Sequence, residues 1–359
     1  MSAASEEQAV DVETSATLLS LDAASLKERV VELGGKPFHA KIAREQVLRH
    51  GLTEYAGMTS LPAELRDKLT AELPIFSSRE VDRIVARDKT TKILLGFPRE
   101  SGAEATVETV HIPPHAHNAG KGATLCVSTQ VGCPVACPFC ASGRLGLVRN
   151  LEAHEILEQF VRGRAIGELS RAVVMGIGEP LLNYENLRIA LDAVHDEMGI
   201  GSRKITVSTV GFPDRLRKIA ESNPRFQLAI SLHTPFDDQR DELVPAMKGT
   251  SIDEVIAAGD NWFEVTGREM TYEYVLLGDE NDTPRHARAL AARLRGKRCM
   301  VNLIPYNPVP GDTYHRPHQA DVEGFKADLE DAGIVATVRW SRGLDSDAAC
   351  GQLRLRNVE

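Results

Sequence analysis

The sequence predicts an α/β protein: an incomplete (β/α)6 barrel preceded by a small helical domain and a β-strand extension. Three observations carry that expectation. From residue 123 short apolar strands alternate with amphipathic helices, six β/α units in roughly 220 residues, which implies a parallel sheet. Residues 21–75 instead repeat apolar side chains at helical spacing, and residues 76–122 switch to β-branched, alternating runs. The pattern alone also admits an open doubly wound sheet, whereas a full eight-fold barrel needs two more units than the chain supplies.

Residues 1–20 read as a disordered acidic tail, with Glu6, Glu7, Asp11 and Glu13 and no Lys or Arg. Within 21–75, Leu26, Val30 and Leu33 mark one helix before Gly34-Gly35; Ile42–His50 and Pro62–Leu73 mark two more. Their cations, Lys27, Arg29, Lys36, Lys41, Arg44 and Arg49, interleave with Glu28, Glu32 and Glu45. A solvated helix face explains them; an RNA-backbone contact is the sharper reading. Across 76–122, Thr91–Phe97 and Ala105–Ile112 read as a two-stranded unit, followed by a loop containing His115, His117 and Gly120. The barrel spans 123–343, with strands near Thr124–Ser128, Ala172–Met175, Lys204–Ser208, Gln227–Leu232, Met270–Leu276 and Met300–Ile304. Ile156/Leu157/Phe160/Val161, Leu187/Leu191/Val194/Met198 and Val322/Phe325/Leu329 are helix faces between them. Val335–Trp340 is a closing strand, and residues 344–359 form a C-terminal tail.

The 359 residues are 42% hydrophobic and 26% charged, which excludes wholesale disorder, a collagen-like chain and a disulfide-rich miniprotein. No apolar run approaches the ~18 residues of a membrane helix, and the acidic N-terminus lacks the basic and apolar regions of a secretory signal. The expected location is the cytoplasm. The net charge of −9 argues against coating nucleic acid by charge alone, though not against a local basic groove; setting aside the four acidic residues of the tail leaves −5.

Of six cysteines, Cys126, Cys133, Cys137 and Cys140 fall within 15 residues, while Cys299 and Cys350 stand alone. In a cytosolic chain such a cluster points to metal binding or thiol chemistry rather than structural disulfides. Functional groups of a β/α array gather at the C-terminal ends of its strands. There the sequence puts Cys133-x3-Cys137-x2-Cys140, Gly178-Glu179-Pro180, Ser208, Ser231-Leu232-His233 and Pro305-Tyr306-Asn307-Pro308, after strands one, two, three, four and six. Three thiolates on one short loop suit a four-iron cluster that leaves one iron open to substrate. Structural zinc wants four ligands, and the fourth would be a histidine or Cys126, seven residues away across a strand. Phe139 would shield a cluster or pack on a bound cofactor. Cys299, before an apolar strand, reads as core packing.

The cysteine triplet, with Phe139 in the aromatic slot, resembles the motif of the radical S-adenosylmethionine (SAM) superfamily. Gly178-Glu179-Pro180 resembles that superfamily's second-strand motif, which meets the SAM amino group. The resemblance implies a 4Fe-4S cluster on Cys133, Cys137 and Cys140, with SAM on its open iron, cleaved by one electron to a 5′-deoxyadenosyl radical. The segments Thr124–Cys133, Gly146-x-x-Arg149-Asn150-Leu151, Ser208-Thr209-x-Gly211, Ile230–His233, Asn302–Pro308 and Asp347-Ala348-Ala349-Cys350-Gly351-Gln352-Leu353 look like the RlmN/Cfr family of radical SAM RNA adenine methyltransferases, from residue 21 to residue 353.

In that family the target, C2 or C8 of adenine, is an electron-poor carbon that cannot attack a methyl sulfonium. The resemblance implies two SAM molecules per turnover. One methylates Cys350, which requires its thiolate; the radical from the other abstracts hydrogen from that methyl, and the carbon radical adds to the ring. Cys126 then assists proton removal and resolves the thioether link through a transient disulfide with Cys350. Val107-Glu108-Thr109-Val110-x-Ile112-Pro113 matches a segment whose Glu is a proposed proton acceptor; an exposed strand carboxylate is the alternative for Glu108. Gly178, Glu179, Ser208, Ser231, Leu232, His233 and Asn307 match SAM-contacting positions.

Three stretches depart from the family. Trp340–Ser346 differs from its Thr-Arg-Gly-x-Asp-Ile run, Met247–Thr250 lacks its Asn-Arg or Asn-Lys pair, and the loop after Glu108 is longer. The implied activity is C2 methylation of an adenosine in 23S rRNA, with the adenosine beside the tRNA anticodon as a second substrate. The implied electron donor is a flavodoxin or ferredoxin, and the expected state is a monomer. C8 methylation of the Cfr type ranks lower, because Val131 precedes Gly132 where Cfr-type sequences tend to carry another cysteine. A zinc-stabilised RNA-binding or ribosome-assembly protein without catalysis is the alternative from another class.

Overall fold

A computed structural model of the chain describes residues 16–98, 104–114, 122–144, 146–309, 311–343 and 347–353. Residues 1–15, His115, His117, Gly120 and 344–346 therefore lie outside the described residues.

The helical module comprises α1 (Ala23–Glu32), α2 (Pro37–Leu48) and α3 (Ala63–Glu72). Asp22 caps α1 by accepting from the Ala24 and Ser25 amides at 2.9 and 2.8 Å, an arrangement worth about 1 kcal/mol. Leu26, Val30, Val47, Leu65 and Leu69 fill the module's core. A Cβ on Gly35 would lie 2.7 Å from Val30 Cγ1, so only glycine lets the chain turn back against α1. Leu18 and Leu19 are buried in the same core, and the Leu18 amide donates to Pro74 O at 2.9 Å. Residues 18 and 19, expected in the tail, are therefore part of the folded module, because two adjacent leucines bury apolar surface there. Arg29 pairs with Glu32 and Glu72, Arg49 with Glu45, and Arg44 with Glu197 on the barrel at 2.6 Å. For those three cations pairing explains the charge; Lys27, Lys36 and Lys41 remain exposed.

The rest is one ten-stranded sheet with helices. Strands β1 (Arg79–Val85), β2 (Thr91–Phe97), β3 (Ala105–Ile112) and β4 (Ala123–Cys126) pair antiparallel in succession. A separate hairpin follows, β5 (Gln130–Gly132) with β6 (Leu147–Asn150). Then come α4 (Ala153–Ile166), β7 (Leu169–Val174), α5 (Tyr184–Asp196), β8 (Ile205–Thr209), α6 (Pro213–Ala220), β9 (Gln227–Ser231), α7 (Asp237–Leu243), α8 (Ile252–Thr266), β10 (Met270–Leu276), α9 (Pro284–Leu294), β11 (Cys299–Pro305), α10 (Gln319–Asp331) and β12 (Val335–Val338). The order is β1-β2-β3-β4-β7-β8-β9-β10-β11-β12, and every neighbouring pair from β4 onward is parallel.

Each new parallel strand joins on the same side. Right-handed crossovers then put all the helices on one face, the winding of a barrel rather than of a sheet that reverses at a switch point. No ladder among the described residues joins β12 to β4, so the barrel is incomplete. One expectation is corrected: the extension has three strands rather than two, whereas the six β/α units and the closing strand β12 are as expected. β1 escaped notice because Arg79, Glu80, Asp82 and Arg83 crowd an exposed sheet edge, where charge protects against edge pairing and hides the period-two signal. Pleating sorts the side chains: Ile205, Val207, Tyr272 and Tyr274 pack outward in the main core, while Thr206, Ser208, Glu273 and Val275 face the barrel interior.

Candidate active site

The β5–β6 hairpin, unforeseen from sequence, holds the cysteine loop. Gly132, at φ +77°, lets the chain pass so close to Gly146 that a Cβ would sit 2.0 Å from Gly146 O, which instead accepts from the Cys133 amide at 3.0 Å. The Cys140 amide donates to Cys137 O at 3.1 Å and tightens the loop's far end. Gln130 ties this hairpin to the Gly-Glu-Pro turn: its Nε2 donates to Asn150 at 2.8 Å and its Oε1 accepts from the Glu179 amide at 2.7 Å. Gly178, at φ +112°, leaves no room for a Cβ, which would lie 2.7 Å from Gln130 Cβ.

One chamber at the strand ends is lined by Cys133, Cys137, Cys140, Gly178, Glu179, Ser208, Ser231, His233, Asn307 and Cys350, so the structure brings together most of the residues singled out from sequence. Leu232 is the exception within its motif, being fully buried in the outer core. Glu179 is 2% exposed and accepts from the Leu181 and Val210 amides at 3.0 Å and from Thr209 Oγ1; burial raises its pKa against those hydrogen bonds. His233, at φ +65°, accepts through Nδ1 from the Val275 amide at 3.1 Å and stands edge-on to Phe139, ring centroids 5.1 Å apart. Burial, with the Arg240 charge, pushes it down to about 3, so it is neutral. Sequence reasoning missed Glu273, 4% exposed, which accepts from Ser208 at 2.7 Å and Asn302 at 3.4 Å. An acid at an inward position of the apolar strand Met270–Leu276 was the available signal.

The C-terminal tail lies across this chamber's mouth. Asn307 Nδ2 donates to Cys350 O at 3.0 Å, the Ala141 amide to Gly351 O at 2.9 Å, Ser142 Oγ to Leu353 O at 2.6 Å, and Gln352 Nε2 to Pro308 O at 2.9 Å. Cys350 thereby lines both the chamber and a second, outer cavity of about 440 Å3, whose wall includes Cys126, Arg339, Arg171 and Trp340. Burial pushes the Cys126 thiol up to about 11 and that of Cys350 up to about 12; the Arg339 charge pulls both down. Sequence reasoning also missed Arg339.

Glu108 is fully buried, not an exposed strand carboxylate. It pairs with Lys92 at 3.2 Å, and Lys92 Nζ also donates to Asp347 O at 2.9 Å, tying the extension to the tail. Glu108 lines neither cavity. Cys299 packs against the main core at the start of β11, away from both.

The donor set fits an iron–sulfur cluster. All three thiols are free and face the same chamber. Burial raises Cys133 to about 12 and holds Cys137 well above the ordinary thiol range, as expected of thiols awaiting a cation. Beside them Arg240, 1% exposed, leaves Nε and Nη1 without hydrogen-bond partners, and its charge favours the Cys137 thiolate. The described residues hold no group of three or more His, Cys, Asp or Glu side chains drawn around a single ion. Nor do they include a helix long and apolar enough to cross a membrane.

A parallel β/α partial barrel with this cysteine loop and Gly-Glu-Pro turn at its strand ends defines a radical SAM enzyme. Residues 127–290 match the model of the Radical SAM superfamily. Relatives from Synechococcus sp., Nostoc punctiforme and Rhodopirellula baltica, each named a probable dual-specificity RNA methyltransferase RlmN, are 41%, 42% and 43% identical over 345, 343 and 348 residues; they cover 94%, 94% and 95% of this chain and 96%, 93% and 91% of their own. A solved radical SAM methyltransferase from Sphaerobacter thermophilus has a TM-score of 0.85 at 39% identity, over 94% of this chain and 99% of its own. The chain belongs to the RlmN family of radical SAM RNA methyltransferases.

Proposed function

We propose that the chain methylates C2 of an adenosine in 23S rRNA, and of the adenosine beside the tRNA anticodon, through a methyl group carried on Cys350. The observation supporting this is the position of Cys350 at the meeting of two cavities, with the cysteine triplet on one side and Cys126 on the other. A carrier thiol must reach both a methyl source and a substrate base, and this one faces both.

Cys133, Cys137 and Cys140 would hold the 4Fe-4S cluster; Gly178, Glu179, Ser208, Ser231, His233 and Asn307 would hold SAM, with Leu232 contributing main chain only. When bound, these groups supply the methyl and, on one-electron reduction by a flavodoxin or ferredoxin, the hydrogen-abstracting radical, two SAM molecules being used per turnover. The chain's own chemistry begins with the Cys350 thiol, which must ionise to accept a methyl. Burial opposes that and Arg339 favours it. His233, being neutral, adds no charge of its own to the SAM site. Once the methylene carbon is bonded to the ring and one electron would have returned to the bound cluster, the Cys126 thiolate takes the proton from the alkylated ring carbon. Ionised again, it attacks the Cys350 sulfur, forming the disulfide, and the electrons of the broken carbon–sulfur bond leave with the product carbon, which is protonated to the methyl. Glu108 lines neither cavity, and the proton-acceptor role is not part of this mechanism. The enzyme works as a cytoplasmic monomer.

Nucleoside mass spectrometry of rRNA and tRNA from cells with and without the protein tests the reading. Loss of 2-methyladenosine is expected; loss of 8-methyladenosine would assign C8 instead, and no change in either would refute the activity. A Cys126→Ala chain purified from cells should carry RNA covalently on Cys350. Anaerobic analysis should find about four irons per chain; one zinc without sulfide would overturn the cluster.

A further inference from the structure

Trp340 stands where the family has a different run of residues, and the activity above assigns it nothing. It is 48% exposed, on the wall of the same outer cavity as Cys126 and Cys350. The Arg316 guanidinium lies over its ring, 5.8 Å from the centroid. Arg171, Arg203 and Lys204 line the same cavity, and none of them has an ion-pair partner among the described residues. The neighbouring Arg342 is differently placed: its Nε meets Asp88 Oδ2 at 2.5 Å, and the Gly343 amide donates to the same oxygen at 3.2 Å, so the turn after Trp340 is pinned to the β extension. The indole is thus held at a cavity mouth where cations are free to meet anions.

We infer that Trp340, backed by Arg316, is a stacking platform for an unpaired nucleobase next to the target adenosine, while Arg171, Arg203 and Lys204 take the phosphates on either side. This rests on the RNA reading above. Every base has a π face, and stacking on an aromatic ring is available only to a base that has left its duplex; the surrounding cations suit the backbone that connects it to its neighbours. A cavity of about 440 Å3 is of the size that holds a small ligand, a base and its sugar rather than a helix. The platform would therefore select a single-stranded or looped segment and hold the strand as the target base passes inward toward Cys350.

Intrinsic fluorescence tests the inference directly. The chain has two tryptophans, and Trp262 is fully buried, so Trp340 is the solvent-facing reporter. The full-length protein is titrated with a short dye-labelled RNA hairpin carrying one adenosine in its loop, and with the same loop sequence annealed in a duplex. The anisotropy of the dye gives the affinity of every variant, and tryptophan emission reports the stacking. Wild type should bind the hairpin with quenched emission. Trp340→Ala should weaken hairpin binding about tenfold, within the range for one stacked base, while leaving duplex binding unchanged. Trp340→Phe should bind within about threefold of wild type but lose the quenching. In turnover, Trp340→Ala should raise KM more than it lowers kcat. Equal hairpin affinity for wild type and Trp340→Ala would overturn the platform and leave the RNA reading standing; no binding of either RNA by wild type would overturn both.

Discussion

Two glycines of the cysteine loop have the same kind of backbone and opposite surroundings, and replacing each with alanine should separate strain from collision. Gly132 and Gly146 have φ of +77° and +68°, so each alanine incurs the left-handed cost of roughly 1–2 kcal/mol. At Gly146 nothing else lies within 4 Å of the new Cβ. At Gly132 it would fall 2.0 Å from Gly146 O, and relieving that to 3.0 Å means moving a carbonyl by a full ångström. The Cys133 amide donates to that same oxygen, so the shift weakens a hydrogen bond worth about 1 kcal/mol and adds overpacking of about 1–3 kcal/mol. Gly132→Ala should therefore destabilise the hairpin by about 2–4 kcal/mol more than Gly146→Ala. Anaerobic reconstitution followed by iron analysis is the assay, with hydrogen exchange at residues 130–150 as the second readout. Gly146→Ala should load iron like wild type; Gly132→Ala should lose more than half of it and exchange faster across β5 and β6. Equal loading and equal protection in the two variants would refute the role given to the Gly132–Gly146 contact.

Two further outcomes follow from buried charge. His111, 6% exposed with neither ring nitrogen hydrogen-bonded, has its pKa lowered by burial, and His233 is pushed down to about 3. The unfolded chain takes up those protons near pH 6.5 and the folded chain does not, so their contribution to stability is present above pH 6.5 and lost as pH falls below it. Between pH 7.5 and pH 5 His233 alone should remove on the order of 2 kcal/mol, read by urea denaturation at the two pH values; a rise in stability toward pH 5 would contradict this. Lys92→Met removes an ammonium 3.2 Å from the buried Glu108 carboxylate and a donor to Asp347 O, and should cost about 3–5 kcal/mol, with most of it recovered in Lys92→Met/Glu108→Leu. Thermal unfolding of the two variants checks it.

Some of the molecule was legible because its signals are local. Cys133, Cys137 and Cys140 share one loop, so their spacing alone was enough to read them as a site, and Gly178 and Glu179 share one turn whose position after the second strand carried the resemblance. β10 was bounded correctly from Met270 to Leu276, since a strand with a buried outer face writes its alternation in consecutive residues. β1 was not, because an exposed edge strand is charged where a central strand is apolar. Glu108 was misread in one of its two readings for a similar reason: a strand carboxylate is exposed by default, and only the approach of Lys92 from β2 buries it as a pair.

Residue order alone was therefore enough for the repeating strand and helix units, the cysteine loop and the family to which they belong, since each is carried by residues a few positions apart. Other features came from pairings across the chain. The common direction of the crossovers turns the sheet into a partial barrel. The seat of the tail, through Asn307 and Cys350 and through Ser142 and Leu353, carries a distant thiol to the chamber of the cysteine triplet. The same fold sets Arg339, Glu273 and Trp340 around it. Such contacts depend on which strand lies beside which, and on where closure of the core leaves a cavity; a one-dimensional pattern of apolar and polar residues does not encode either.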